Sequence, residues 1–98
     1  MNLDRVFDAL ASAPRRGVLA ALAQSESTIS ELACRFALSA PAMSRHLSVL
    51  ENAGLVASRR VGQRVLYGLV RDTLVEALGA LTAQLTPSAP AKTPREPL

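Results

Sequence analysis

The segment "STISELACRFALSAPAMSRHL", Ser27 to Leu47, carries two helix-start signals with very little chain between them. Thr28 and Glu31 have the spacing of a capping box, in which hydroxyl and carboxylate each satisfy the other residue's backbone N–H. Ser39 is a good N-cap, and Pro41 falls in the first turn of the next helix, where a missing N–H leaves no bond unmade. A helix over residues 29–36 must therefore stop and another begin almost at once, the second running to Asn52 with Gly54 as its stop. Two short helices joined by so tight a turn cross steeply, as in a helix-turn-helix.

The flanking sequence completes one small domain. Leu3, Val6, Phe7, Leu10 and Ala11 recur at helical spacing, which predicts a helix over 3–12. Pro14, Val18, Leu19 and Leu22 predict another over 14–24. Beyond Gly54, "LVASRRVGQRVLYGLV" alternates and turns at Gly62, with Val65, Tyr67 and Leu69 on one face, the pattern of a hairpin. Asp72 is the expected cap of a last helix carrying Leu74, Leu78, Leu81 and Leu85. The expected fold is mainly α with a small β-hairpin, a winged helix-turn-helix of order αααα-ββ-α. Its domain spans 1–85, followed by a flexible proline-rich tail over 86–98 containing Pro87, Pro90, Pro94 and Pro97. The stripes Leu3, Val6, Phe7, Leu10 and Leu74, Leu78, Leu81, Leu85 exceed what so small a domain can cover, which predicts a homodimer built by the first and last helices.

Charge placement narrows the partner. Between Arg35 and Arg71 stand six arginines against the single acid Glu51, while the whole chain is only +3. A basic half of this kind suits a polyanion. No apolar run approaches the length that spans a bilayer, and the opening "MNLDRVFD" is not that of a secretory signal, so a cytoplasmic protein without a membrane partner is expected. The lone Cys34 closes no intrachain disulfide and forms no zinc cluster.

On the second helix of the pair, Met43, Leu47 and Leu50 gather on one side with His46 at its edge. Opposite lie Pro41, Ser44, Arg45, Ser48 and Asn52, small polar residues around one arginine. Such a face approaches a major groove closely: hydroxyls and amides bond phosphates or base edges, and arginine grips guanine with two bonds. An ordinary solvated helix would carry more Glu and Lys.

The stretches "FDALASAPRRGVLAAL", "TISELACRFALSAPAMSRHLSVLENAGLV" and "RRVGQRVLYGLV" together resemble the ArsR-type winged-helix repressors of bacteria, over about Leu3 to Leu85. The resemblance implies a homodimer on double-stranded operator DNA at the nucleoid, released by a metal, redox or other signal. It makes the helix from Ser39 to Asn52 the recognition helix and the hairpin the wing. The DNA-contacting set it implies is Ser39, Ala40, Pro41, Ser44, Arg45, His46 and Ser48 with Arg59, Arg60, Gln63 and Arg64. Many members have glutamine where this chain has Ala40, so base preferences do not carry over.

Sensor positions depart further. Thr28 and Ser30 stand where metal-sensing members carry a Cys-x-Cys motif, and neither replaces a thiolate. The last helix offers only Asp72 and Glu76 to the family's carboxylate and histidine zinc site. Neither metal nor cofactor is expected, and the inducing signal stays unassigned. Cys34 lies off the buried stripe of its helix beside Arg35, which leaves redox sensing as an alternative for the signal. No triad, phosphate loop or carboxylate pair points to an enzyme. The competing reading is a winged-helix protein-interaction module whose arginines meet an acidic partner.

Overall fold

The structure is a computed structural model and describes residues 1–87. Its elements are α1 (Leu3–Leu10), α2 (Ala13–Gln24), α3 (Ile29–Arg35), α4 (Ala40–Asn52), β1 (Val56–Val61), β2 (Arg64–Leu69) and α5 (Arg71–Leu85). The order is the expected αααα-ββ-α. Of the tail expected over 86–98, positions 88–98 lie outside the described residues.

Local chemistry explains most boundaries. Ser12 caps α2 by accepting from the Arg15 N–H at 3.3 Å, so α1 ends at Leu10, two residues before the predicted limit. The capping box of α3 forms in full: Thr28 N–H donates to Glu31 Oε1 at 2.9 Å, and Glu31 N–H to Thr28 Oγ1 at 3.1 Å. Ser39 Oγ accepts from Ala42 N–H at 3.2 Å and opens α4. α4 closes as a Schellman turn, with Gly54 N–H bonded to Glu51 O and Leu55 N–H to Leu50 O, both at 2.9 Å. Gly54 takes the left-handed φ of 79° which that motif requires.

The same bonding ends α3, where Ala37 N–H reaches Cys34 O and Leu38 N–H reaches Ala33 O. The left-handed position there is occupied by Ala37 at φ 56°, which costs about 1 kcal/mol relative to glycine. This turn leads α3 into α4 within four residues.

One core joins every helix. Val6 and Ala9 of α1, Val18, Leu19, Ala21 and Leu22 of α2, Leu32 and Ala33 of α3, and Met43, Leu47 and Leu50 of α4 are buried with Leu55, Val56 and Ala77. Each large aliphatic side chain in this set contributes roughly 1.5–3 kcal/mol on burial. No polar side chain among the described residues is buried, so the core itself is held by apolar packing.

The strands pair antiparallel, from Val56 opposite Leu69 to Val61 opposite Arg64, around a two-residue turn whose first member, Gly62, has φ 62°. Tyr67 also exchanges two backbone bonds with Ser27, at 2.8 and 3.1 Å, which ties β2 to the segment before α3.

Two expectations are corrected here. Val6 is fully buried within the protomer, because its side of α1 faces α2 and α4; it belongs to the core and is not available to a second subunit. Asp72 does not cap the last helix. Val70 N–H bonds Leu55 O at 2.8 Å directly after β2, so the helix begins at Arg71 with Val70 as an N-cap that makes no side-chain bond. Asp72 lies in the first turn, where its charge complements the helix dipole.

Candidate nucleic-acid interface

α4 has two unlike sides. Met43, Leu47 and Leu50 are buried, whereas Ser39, Ala40, Pro41, Ser44, Arg45 and Ser48 are all exposed. Arg45 makes no ion pair or side-chain hydrogen bond with the described residues, and neither do Ser44 and Ser48. This helix presents one free guanidinium between two hydroxyls, on a backbone fixed from behind by the core.

His46 is half-buried at the edge of that core. Its Nδ1 lies 3.5 Å from Arg15 Nη1 of α2. A guanidinium can only donate, so Nδ1 stands on the acceptor side of this contact. Arg15 also donates to Ala9 O at 2.8 Å and Asp8 O at 3.2 Å, and Arg16 donates to Leu10 O. Three carbonyls at the end of α1, which has no basic residue in its last turn, thereby accept from α2, and Asp8 O also accepts from the Ala11 N–H. The sequence reading did not assign Arg15 this role, and the only local signal for it is the shortness of the link between α1 and α2.

On the wing, register divides the basic residues between two faces. Arg60 shares a face with Ser58, Val65 and Tyr67, and Ser58 Oγ approaches Glu51 Oε2 of α4 at 3.5 Å. Arg60 and Gln63 are exposed and make no side-chain bond with the described residues. The other face carries Arg59 and Arg64, and both are engaged within the chain. Arg59 donates from Nε and Nη2 to the Glu26 carboxylate, the shortest contact being 2.6 Å. Arg64 Nη2 reaches Glu31 Oε2 at 3.2 Å. The Arg59 hydrogen bonds hold the Glu26 carboxyl below the usual glutamate range, and Glu26 raises Arg59. Glu31 is lowered as well, first by the Thr28 backbone N–H and further by Arg64. Glu26 and the second role of Glu31 escaped the sequence reading, because each pair joins residues 33 apart.

Cys34 is exposed on α3, clear of the buried Leu32 and Ala33. Among the described residues no three of His, Cys, Asp and Glu gather into a group able to hold a metal ion. The arrangement is suited to gripping a polyanion: a narrow polar helix face with a free arginine, beside a ribbon carrying three more.

Comparison with known proteins agrees with this geometry. Residues 13–58, from the start of α2 into β1, match the model of the arsR family of bacterial regulatory proteins. The chain is 30% identical over 76 residues to the transcriptional repressor SdpR of Bacillus subtilis, covering 78% of this chain and 84% of that protein. This chain belongs to the arsR family of bacterial transcriptional regulators. Among solved structures, an ArsR-like transcriptional regulator from Rhodococcus sp. RHA1 superposes with a TM-score of 0.78 at 32% identity, over 84% of this chain and 77% of that one. The homodimeric winged helix-turn-helix DNA-binding domain Mb0332 of Mycobacterium bovis gives 0.69 at 26% identity, over 94% and 86%. Against several other curated relatives the chain spans only 59% to 62% of their length.

Proposed function

We propose that this arsR-family chain is a homodimeric repressor that lays α4 of each subunit in the major groove of a palindromic operator and rests its wing on flanking phosphates. The observation that carries the reading is the two-sidedness of α4: the core holds Met43, Leu47 and Leu50, and Ser44, Arg45 and Ser48 stand free on the other side. Arg45 reads a base edge while Ser39, Ser44 and Ser48 bond backbone or bases; Arg60 and Gln63 position the wing. Ala40 and Pro41 let the helix approach closely. Similarity to a relative named as a repressor supports the sign of regulation.

The dimer seam in this reading runs along α5 and α1. Val75, Leu78 and Leu85 of α5 are exposed at 50%, 48% and 73%, and Leu74 and Leu81 of α5 and Leu3, Phe7 and Leu10 of α1 are half-buried. Similarity to a homodimeric domain supports the same assembly. No helix among the described residues is long and apolar enough to cross a membrane. A DNA partner, on this reading, implies a cytoplasmic protein working at the nucleoid. The reading invokes no catalysis, cofactor or metal.

The test is recovery and sequencing of genomic fragments bound by the chain. Enrichment of palindromes whose half-sites lie about 34 Å apart is expected, together with falling transcription from the recovered promoters. A palindrome bound no better than random DNA overturns the reading in favour of a protein-interaction module. Leu78→Asp should leave a monomer in sedimentation, because it would bury a charge without a partner.

A further inference from the structure

The wing carries three arginines, and two of them are occupied before DNA arrives. We propose that Glu26 and Glu31 set the DNA affinity of this regulator by holding Arg59 and Arg64 in internal ion pairs that a phosphate must displace. The proposal rests on the DNA-binding reading above.

Both carboxylates are positioned by the fold. Glu31 divides its oxygens, Oε1 closing the capping box with Thr28 and Oε2 meeting Arg64. Glu26 precedes Ser27, which the two backbone bonds to Tyr67 fix against β2. Its carboxylate then lies over Gly68, where an added Cβ would stand 3.2 Å from Oε2 and 3.4 Å from Cγ. Gly68 pairs across the ribbon with Ala57, which shares a face with Arg59, so the ribbon is small where Glu26 crosses it.

The pairs use the same chemistry as the expected ligand. A carboxylate and a phosphate both accept paired N–H bonds from the flat guanidinium fork, so each glutamate occupies the donors that a phosphate would take. Exposure makes the exchange feasible: the Arg59 and Glu26 side chains are 61% and 41% accessible, and those of Arg64 and Glu31 59% and 54%. Solvated pairs of this kind are weak and open readily. Once displaced, the carboxylate remains near the bound phosphate and opposes it. The wing therefore contributes less sequence-independent attraction than its arginine count implies, and discrimination falls more heavily on α4.

Binding to one random-sequence duplex and one selected operator, measured by fluorescence anisotropy across a salt series, tests this. Glu31→Gln removes the charge and keeps the capping-box chemistry, since glutamine serves at that position. Glu26→Gln or Glu31→Gln should raise affinity for random duplex about threefold and steepen its salt slope, and the double variant about tenfold, with the operator-to-random ratio falling. In an Arg64→Ala background, Glu31→Gln should do nothing. Persistence of the gain in that background means general charge and overturns the proposal. Weaker binding by the single variants overturns it too, because the glutamates would then be holding the arginines in place for DNA. The wild-type preference for operator over random duplex tests the functional reading, whereas differences among variants on random duplex test this one, so each can fail alone.

Discussion

α4 and the wing both present arginine to solvent, but the fold treats the two differently. Arg45 projects from a helix whose other side is core, and nothing in the described chain reaches it. Arg59 and Arg64 sit on a ribbon of two strands, and one of its faces lies back against Glu26 and Glu31. A lone hairpin is marginal in water and needs anchoring. Here the anchors are Tyr67 bonded to Ser27, Val70 bonded to Leu55, and the two ion pairs, so part of the basic surface serves as a fastening. An arginine count thus overstates the charge that a wing can offer and states that of a recognition helix fairly.

The largest effect expected from this contrast is at Arg45. Its replacement by alanine should cost about 1–3 kcal/mol on the operator and relax preference at one position in each half-site. Unchanged rank order across operator variants would remove Arg45 from direct readout. Arg60→Ala should instead weaken all sequences alike and lower the salt slope by about one, and Arg64→Ala should lower it less, because an internal carboxylate already occupies that guanidinium. Equal slopes for the two variants would erase the distinction between free and fastened arginines.

The turn that aims α4 can be probed without touching DNA contacts. Ala37 holds φ 56°, so Ala37→Gly relieves a left-handed alanine and should stabilise the domain by about 0.5–1 kcal/mol in urea melts, with operator affinity little changed. A destabilised variant would mean that the turn is not strained.

A smaller effect concerns acid. The folded carboxyls of Glu26 and Glu31 titrate below their ordinary value of 4.5. Their contribution to the wing is complete above that value and is lost as pH falls through the depressed one. Amide-exchange protection at Ser27 and Tyr67, corrected for intrinsic rates, should decline in that acid range and lose this dependence when both glutamates are glutamine. At the far end of the scale, zinc, cadmium and arsenite should leave the operator complex intact in anisotropy titrations under reductant. A soft-metal site needs several thiolate or imidazole ligands, and each subunit offers only Cys34 and His46, whose Nδ1 faces Arg15. Release at stoichiometric metal would redirect attention to Cys34.

What could be read from the chain before its structure was whatever acts over a few residues. Thr28 with Glu31, Ser39 with Pro41, and Gly54 and Gly62 mark ends and turns through their own backbone, and each appears where its chemistry put it. The two sides of α4 were equally legible, since helical period alone separates Leu47 from Ser48. What could not be read depends on residues that folding brings together: the glutamates of the wing, and Arg15 against the end of α1. Val6 and Phe7 both lie on one broad stripe, and only the packing of α2 and α4 sends Val6 to the core and leaves Phe7 at its margin. Asp72 was a reasonable cap by type, but a backbone bond from Val70 started the helix first.

Arg15 holds three bodies with one side chain. The helix proposed for the subunit seam ends on its guanidinium through Asp8 O and Ala9 O, and the helix proposed for the groove touches the same group through His46. α1 cannot slide along its axis without stretching those two carbonyl bonds or dragging the guanidinium with it. The joint therefore acts as a hinge pin, registering the attitude of the reading head to the seam between subunits.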